Sequence, residues 1–432
     1  MLEHPPIATE QEKQDLLKMV FSSDIQSINF DYPYWDKVKY IQTKDKLNPR
    51  QLWFALKLIR QWNRTNLEFG KYKLSLTVTD EMLELLHYFD MNIGGSLLGE
   101  NFIPSENKNR YLVSSIMEEA IASSQMEGAA TTRKVAKDML RKNEKPKNKG
   151  QQMILNNYIT INYIKTILRQ NFSLNILKKI HHSMTTNTLD DENDAGKLRD
   201  NDNIMVVDGI TGDIAHHPPA FSELEELLFD MESFFNKNGK TFIHPIVKGI
   251  IIHFMLSFIH PFVDGNGRTA RSLFFWYMLK QGYWLIEYMS VSRIIHKSKK
   301  QYEYAFLYTE YDDNDLTYFI LYNLRKMKIA FEELKIYINR KTEEDNSISL
   351  LANIKGINQR QAQMITILQE KPNSSFTVKE IENRFSVSNL TARTDLMGLV
   401  ELGYLSEIQL NKVKRGYIKS DKYDILLKGF SS

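Results

Sequence analysis

No cysteine occurs among the 432 residues. That absence excludes disulfide frameworks, Cys-ligated zinc, iron–sulfur clusters and thiol catalysis together, and it suits a reducing cytosol. An excess of charge is missing too: 56 Lys and Arg stand against 53 Asp and Glu, a net of +3. There is also no long hydrophobic run. The most apolar stretch, 246–262, contains His253 and His260; it falls short of the ~20 apolar residues of a membrane span and reads as a buried helix. Residues 1–9 show no basic segment followed by an apolar one, so no secretory signal is visible. The expectation is a soluble, cytoplasmic protein with no membrane partner. With 42 % hydrophobic and 25 % charged residues a globular core can form, and the length predicts about three domains.

What is present is mostly helical periodicity. Residues 1–110 carry three of the five Trp (Trp35, Trp53, Trp62), and 51–63 and 79–90 repeat apolar residues at helical spacing. This aromatic set reads as core without chemistry. A helix over 111–126 ends at Gly128, a left-handed cap. Residues 131–150 hold eight Lys or Arg and two acidic residues, a solvated face ending in a polar linker. Helices are predicted over 151–169, 174–186, 222–235, 245–259, 268–281 and 318–340. Between them, 204–215 sets short β-branched runs around Asp208-Gly209 and Thr211-Gly212, a hairpin signal. Residues 341–349 read as a linker. Beyond it, 351–432 hold 12 Lys or Arg against 8 Asp or Glu, a local net of +4 that leaves −1 for the rest.

The most informative stretch is His260-Pro261-Phe262-Val263-Asp264-Gly265-Asn266-Gly267-Arg268-Thr269-Ala270-Arg271, which connects two helical patterns. Two glycines flanking Asn266 let several backbone N–H groups converge on one spot. The helix that follows adds its free N–H groups and positive dipole end, which together make an anion site. Arg268 and Arg271, three apart, share one face of its first turn; two guanidinium groups suit an extended polyphosphate better than a single carboxylate. Asp264 is a hard oxygen ligand placed where Mg²⁺ beside phosphates is needed. His260 is the one group of the loop able to take a proton near neutral pH. Residues 265–270 also fit the dinucleotide fingerprint G-x-G-x-x-A, but that fingerprint needs a preceding strand. Here Ile246, Val247, Ile250, Ile251, Phe254, Met255 and Phe258 repeat with the helical period instead. Gly239-Lys240-Thr241 resembles the end of a phosphate-binding P-loop, yet the glycine required upstream is Phe234.

In order and spacing the 260–271 loop resembles the signature of the Fic domain family, H-[P/x]-F-x-[D/E]-G-N-G-R-x-x-R, with every specified position filled. The resemblance extends roughly over residues 110–330. It implies a mainly α fold, with a helical Fic core and a β-hairpin flap over the active site. It also implies transfer of AMP from ATP to a Ser, Thr or Tyr hydroxyl of a target protein, releasing pyrophosphate. Carried over by position, His260 would be the general base and Asp264 would hold Mg²⁺. Gly265, Asn266 and Gly267 would cradle the phosphates, Arg268 would pair with the β-phosphate and Arg271 with the γ-phosphate. The segment 204–215 would be the flap, its open edge holding a target backbone by strand addition. Tyr302 is a candidate wall of the nucleoside pocket. Transfer of another phosphate-containing group stays open, because the loop reads phosphates and says little about the base. A DNA-binding regulator with a nucleotide-sensing Fic core also stays open, although an intact His260 argues against it.

Ser123-Ser124-Gln125-Met126-Glu127-Gly128 lies upstream of that loop. Glu127 falls at the C-terminal end of its helix, where the dipole disfavours an anion, and is better explained by a nearby cation. The pattern S/T-x-x-x-E-G/N resembles the family's inhibitory motif. That implies a helix at 111–128 whose Glu127 pairs with Arg271 and holds ATP in a non-productive pose, with Ser123 and Gly128 completing the motif. Whether Glu127 also orients a water to remove AMP is left open. Seven of the ten histidines lie between 181 and 260. With no HExxH and no cysteine they read as structural rather than zinc ligands, His260 excepted. Over 376–405 the pattern is helix–turn–helix: Thr377 with Glu380 forms a capping box, 386–388 turn, and Ser388 caps a second helix ended by Gly403. Lys412, Lys414, Arg415 and Gly416 then lie as in a wing, so this region resembles a winged-helix domain. It would contact DNA or protein, with Arg393 the one basic residue of the presumed recognition helix. The expected organisation is a helical N-terminal domain (1–110), a Fic catalytic domain (111–340) and a winged helix (350–432), with a homodimer left open.

Overall fold

The computed structural model describes residues 2–7, 9, 23–44, 46–94, 108–207, 212–237, 239, 241–352, 354, 356–385, 387–410 and 415–428. The chain divides into two units, Met1–Leu334 and Lys335–Ser432. The first takes in both the aromatic N-terminal region and the helical body.

Helix starts coincide with capping residues. Short helices α1 (Ser23–Phe30) and α2 (Trp35–Val38) lead into α3 (Pro49–Trp62), where Asn48 and Gln51 cap each other's backbone ahead of Pro49. Residues 64–77, in a region expected to be helical, instead form a hairpin of β1 (Arg64–Phe69) and β2 (Tyr72–Thr77). Gly70 makes the turn at φ 52°, and the Leu67, Phe69, Leu74, Leu76 alternation has the strand period. Next come α4 (Asp80–Asn92), α5 (Lys108–Met126), α6 (Arg133–Lys142), α7 (Lys149–Thr166) and α8 (Leu174–Thr185). Thr132, Asn148 and Ser173 accept backbone N–H groups at the starts of α6, α7 and α8. The expected hairpin is present as β3 (Val206–Val207) paired antiparallel with β4 (Ile214–His216) across a bulge; its turn signals, Asp208-Gly209 and Thr211, lie outside the described residues. Helices α9 (Leu224–Asn236), α10 (Pro245–Ile259), α11 (Asn266–Lys280), α12 (Val291–His296), α13 (Lys299–Tyr311) and α14 (Thr317–Ala352) follow.

The stretch expected to be a buried helix is α10, buried from Ile246 to Ile259 apart from Ser257, as an all-round apolar helix must be. A side chain at Gly249 would meet Phe274, Tyr277 and Met278 at 3.2–3.3 Å, so its absence lets α11 lie close against α10. Helix α14 runs on through 341–349, the stretch expected as a linker. Lys341, Glu343 and Glu344 are strong helix formers, and polarity alone does not break a helix. Among the described residues no helix is long and apolar enough to cross a membrane.

An ionic core ties the N-terminal region to the start of α14. Arg60 is fully buried, donating to Tyr318 Oη (2.8 Å), the Pro33 carbonyl (3.0 Å) and Asn29 Oδ1 (2.9 Å). Its guanidinium stacks 3.8 Å from the Tyr32 ring centre, and Tyr32 in turn donates to buried Asp315 at 2.7 Å. Tyr34 stacks on Tyr308 at 4.2 Å. Trp35 and Trp53 are core, as their spacing predicts, whereas Trp62, at the end of α3, is 55 % exposed.

The second unit holds α15 (Gln359–Glu370), β5 (Ser375–Phe376), α16 (Val378–Phe385), α17 (Asn389–Glu401), β6 (Leu405–Gln409), β7 (Arg415–Lys419) and α18 (Tyr423–Lys428). Its antiparallel sheet has the order β5-β7-β6. Ile365, Leu368, Phe376, Leu396, Leu399 and Tyr417 pack in its core. Ser388 caps α17 and Thr377 accepts from the Glu380 amide at 3.3 Å. Lys412, Lys414 and Ser386 lie outside the described residues, whereas Arg415 opens β7 paired with Glu407 at 2.6 Å.

Removing Arg60 leaves Asn29 Oδ1, the Pro33 carbonyl and Tyr318 Oη without their buried donor and empties the space its side chain fills, while Asp312 and Asp315 keep Lys57 and Arg64. Arg60→Ala is expected to lower stability by about 2–5 kcal/mol. All five tryptophans precede residue 334, so the urea midpoint read by tryptophan fluorescence reports this unit alone.

Candidate active site

The 260–271 loop is irregular backbone, and side chains from elsewhere satisfy it. Helix α10 ends with His260 in the left-handed region (φ 49°, ψ 57°), a costly conformation for a residue other than glycine. Arg199 holds it there. Its Nε donates to the His260 carbonyl (3.0 Å), its backbone N–H to Pro261 O (2.9 Å), and its Nη2 to Pro219 O. Asn266 brackets Phe262, accepting from its N–H at 3.0 Å and donating to its carbonyl at 2.8 Å. His181 lies flat on the Phe262 ring, 3.7 Å between centres. The Gly196 N–H donates to His181 Nδ1 (2.9 Å), so its proton sits on Nε2 and goes to the Asp264 carbonyl (2.7 Å). Burial pushes His181 down to about 4 and keeps it neutral.

Beyond the loop, α11 begins at Gly265 (φ 83°). Arg268, on its first turn, has no solvent exposure. Its Nη1 donates to the Met184 carbonyl at 3.0 Å, while its Nε and Nη2 have no hydrogen-bond partner among the described residues. The nearest carboxylate oxygen, Asp264 Oδ2, stands 3.8 Å away. A buried guanidinium with two idle nitrogens beside a helix N-terminus is a site for an anion. Half of the Asp264 side chain is exposed, and its Oδ1 accepts from the Gly265 N–H at 2.5 Å. Among the described residues no three metal-ligating side chains gather. The lone carboxylate beside an anion site fits Mg²⁺ brought in on phosphate oxygens rather than held in a protein cage.

Arg271, one turn further along α11, is occupied. Its Nη2 donates to Glu127 Oε1 (2.9 Å) and Ser123 O (2.8 Å), and its Nε to Ser123 Oγ (2.9 Å). Glu127 follows the last turn of α5 and remains 32 % exposed at its side chain. Burial works against its charge, but Arg271, with Arg268 and Lys299 behind it, outweighs burial and holds the carboxyl below its ordinary value. The carboxylate comes so near the start of α11 that a Cβ at Gly267 would lie 2.3 Å from Oε1. Glu127 thus sits badly for its own helix dipole and well for that of α11. Gly128 (φ 90°) only turns the chain; a Cβ there would meet nothing within 4 Å.

Of these groups Glu127 and Arg271 face a cavity of about 260 Å³ that Gly267, His260 and Tyr302 also line, with Val206, Val207, Ala215 and His216 of the hairpin along one side; Asp264 and Arg268 are not among its lining residues. Burial pushes His260 down to about 4, outweighing the Ser257 carbonyl 3.3 Å from Nδ1. A carbonyl only accepts, so Nδ1 carries the proton and Nε2 of the neutral ring keeps a free lone pair. Tyr302 Oη is 2.8 Å from His253 Nε2, and burial keeps His253 neutral by lowering it to about 3.

Sequence reasoning had not singled out Arg199. A lone arginine among Asp200, Asn201 and Asp202 carries no spacing that reports carbonyls 60 residues away. The side chain of Asn266 closes the loop on itself through Oδ1 and one Nδ2–H, which leaves its backbone and the second Nδ2–H for an anion.

Residues 171–278 match the Fic/DOC family. Protein adenylyltransferase Fic of Drosophila virilis is 38 % identical over 68 residues, 16 % of this chain and 14 % of that protein. The corresponding protein of Drosophila mojavensis is 35 % identical over 92 residues, 21 % of this chain and 17 % of that one. The chain therefore spans less than a fifth of the length of these relatives. A solved structure of Fic-1 from C. elegans superposes with a TM-score of 0.51 at 16 % identity, covering 77 % of this chain and 88 % of that one. The chain carries a Fic/DOC domain in a mostly helical Fic fold.

The tautomer of His260 is open to direct measurement. Long-range ¹H–¹⁵N spectra at pH 6.5 are expected to show a neutral, Nδ1-protonated ring that titrates near pH 4; an imidazolium at pH 6.5 would contradict the geometry.

Proposed function

We propose that the protein transfers AMP from ATP to a hydroxyl of a target protein, and that Glu127 restrains the reaction from within the same chain. The observation that carries this reading is the meeting of a neutral His260, its Nε2 free, with Gly267 and Arg271 of the first turns of α11 in one cavity. The target oxygen attacks the α-phosphorus, His260 Nε2 takes the hydroxyl proton, and the bond to pyrophosphate breaks as pyrophosphate leaves. Arg268 would pair with the β-phosphate, and the backbone of Gly265, Asn266 and Gly267 would cradle the chain of phosphates. Asp264 would hold Mg²⁺, which supplies charge neutralisation when bound. Arg271 would reach the γ-phosphate once Glu127 leaves it. Tyr302 would border the nucleoside.

Ser123 and Glu127 form the regulatory side of this proposal, with Gly128 as its turn. Removal of AMP by a water held on Glu127 and transfer of another phosphate-containing group are its close variants, because none of the named contacts reads the base. For the second unit, the order α15–β5–α16–α17–β6–β7 supports the winged-helix reading. Exposed Arg393 on α17 is its candidate contact to DNA or protein.

Incubation with labelled ATP, GTP, UTP and CTP tests the reading. His260→Ala should reduce transfer by ~10²–10⁴-fold while nucleotide binding, read by calorimetry, is kept. Glu127→Gly should raise auto-modification above the parent, with ATP the preferred donor. Undiminished labelling by His260→Ala would remove the assigned base, and a Glu127→Gly protein no more active than the parent would remove the restraint. Because His260 is pushed down to about 4, transfer by Glu127→Gly should hold steady between pH 6 and 7. It should fall only as pH drops toward that value, where the base becomes protonated.

A further inference from the structure

The hairpin beside the cavity carries a histidine that the proposed reaction leaves unused. His216, the last residue of β4, is 9 % exposed. Its Nε2 is 2.8 Å from the Phe258 carbonyl on α10, and its Nδ1 is 2.7 Å from Glu310 Oε2 on α13. A carbonyl and a carboxylate both accept. A neutral imidazole has a single N–H, so the two contacts are satisfied together only when a second proton lies between Nδ1 and the carboxylate. We infer that His216, doubly protonated and held by Glu310, is the positioning residue that fastens strand β4 across α10 and α13, and so fixes the hairpin edge relative to His260.

The fastening acts at the base of the hairpin, because His216 is the register partner of Val206 and Ile214 that of Val207. Val207 and Ile214 are 53 % and 44 % exposed, so the edge offers apolar side chains as well as backbone to an extended segment. The charged and titratable groups around the ring are few. Glu310 faces it from α13, with Glu303 and Tyr304 further along the same cavity wall; His260 stands at the end of α10; Arg199 comes from the segment before the hairpin. Arg199 is itself tied to Asp202 at 3.0 Å. Burial opposes a charge on His216, yet Glu310 outweighs both burial and Arg199 and raises its pKa. A group raised on folding contributes fully below its ordinary value of about 6.5 and loses that contribution as pH climbs through the folded value. The hairpin should therefore loosen in the alkaline direction.

This inference rests on the transfer reading only for the purpose of the edge; the fastening can be tested without any transfer. Glu310→Gln separates charge from hydrogen bonding. The glutamine amide donates to Nδ1 of a neutral ring whose Nε2–H still reaches Phe258, so no second proton is needed. Hydrogen–deuterium exchange of the 214–216 amides in the full chain, corrected for intrinsic rates between pH 6 and 9, is the measurement. The parent should lose about 10- to 100-fold in protection as pH rises, the worth of a hydrogen bond to a charged group. Glu310→Gln should stay protected throughout, and Glu310→Ala should be poorly protected at every pH. Protection in the parent that does not change with pH, or a decline in Glu310→Gln that tracks the parent, overturns the inference. Absence of labelled transfer in Glu127→Gly would overturn the transfer reading and leave the fastening standing.

Discussion

The guanidinium of Arg271 is 5 % exposed and gripped from one side by Ser123 Oγ, Ser123 O and Glu127 Oε1. A cation this far from water cannot be left bare; an uncompensated buried charge costs several kcal/mol. Whatever displaces Glu127 must bring negative charge of its own, and the place it vacates adjoins a helix start that already favours an anion. Arg268 sharpens the same demand, with two guanidinium nitrogens that nothing among the described residues satisfies. The site is built around a deficit of negative charge that the carboxylate of Glu127 fills in part.

The rest of the helical body keeps that deficit in place. Helix α10 is apolar on all sides and α11 lies against it where Gly249 leaves room, so the loop between them starts and ends on rigid elements. Between those anchors, Asn266 bridges the loop to itself, His181 supports it from below and Arg199 ties down its first two carbonyls. Each is a polar group that irregular backbone requires once it is removed from water. The strained backbone of His260 is bearable because Arg199 and the α10 cap overdetermine it, and that strain is what turns the imidazole into the cavity.

Much of this was readable from order and spacing alone. The run from His260 to Arg271 is contiguous, so its loop, its following helix and its two arginines could be placed before any coordinates. Glu127 was legible for a different reason: a carboxylate at the wrong end of a helix asks for a cation. The 64–77 hairpin escaped because a single glycine between two short alternations is a faint signal beside strong flanking helices. The continuation of α14 escaped because a polar stretch reads equally as linker or as exposed helix. Arg199 and the pairing of His216 with Glu310 could not be read at all. Their partners lie 61 and 94 residues away in sequence, and only the packing of helices brings them together.

Gly267 carries a consequence for how such a protein can change over generations. Its missing side chain leaves the bare patch of α11 on which the Glu127 carboxylate rests, 2.3 Å from where a Cβ would stand. The same bareness is what an incoming phosphate would need. On the proposed function, alterations at Glu127 or Ser123 would slacken the restraint and spare the patch, so inheritance would tune regulation by small steps there. A Cβ at position 267 would press on the tip of the Glu127 side chain and on Arg271 Nη1, and would stand where the proposed phosphate would rest. On that reading restraint and reaction would share this one bare position, and a lineage would lose the first alone by changing the other side of the contact.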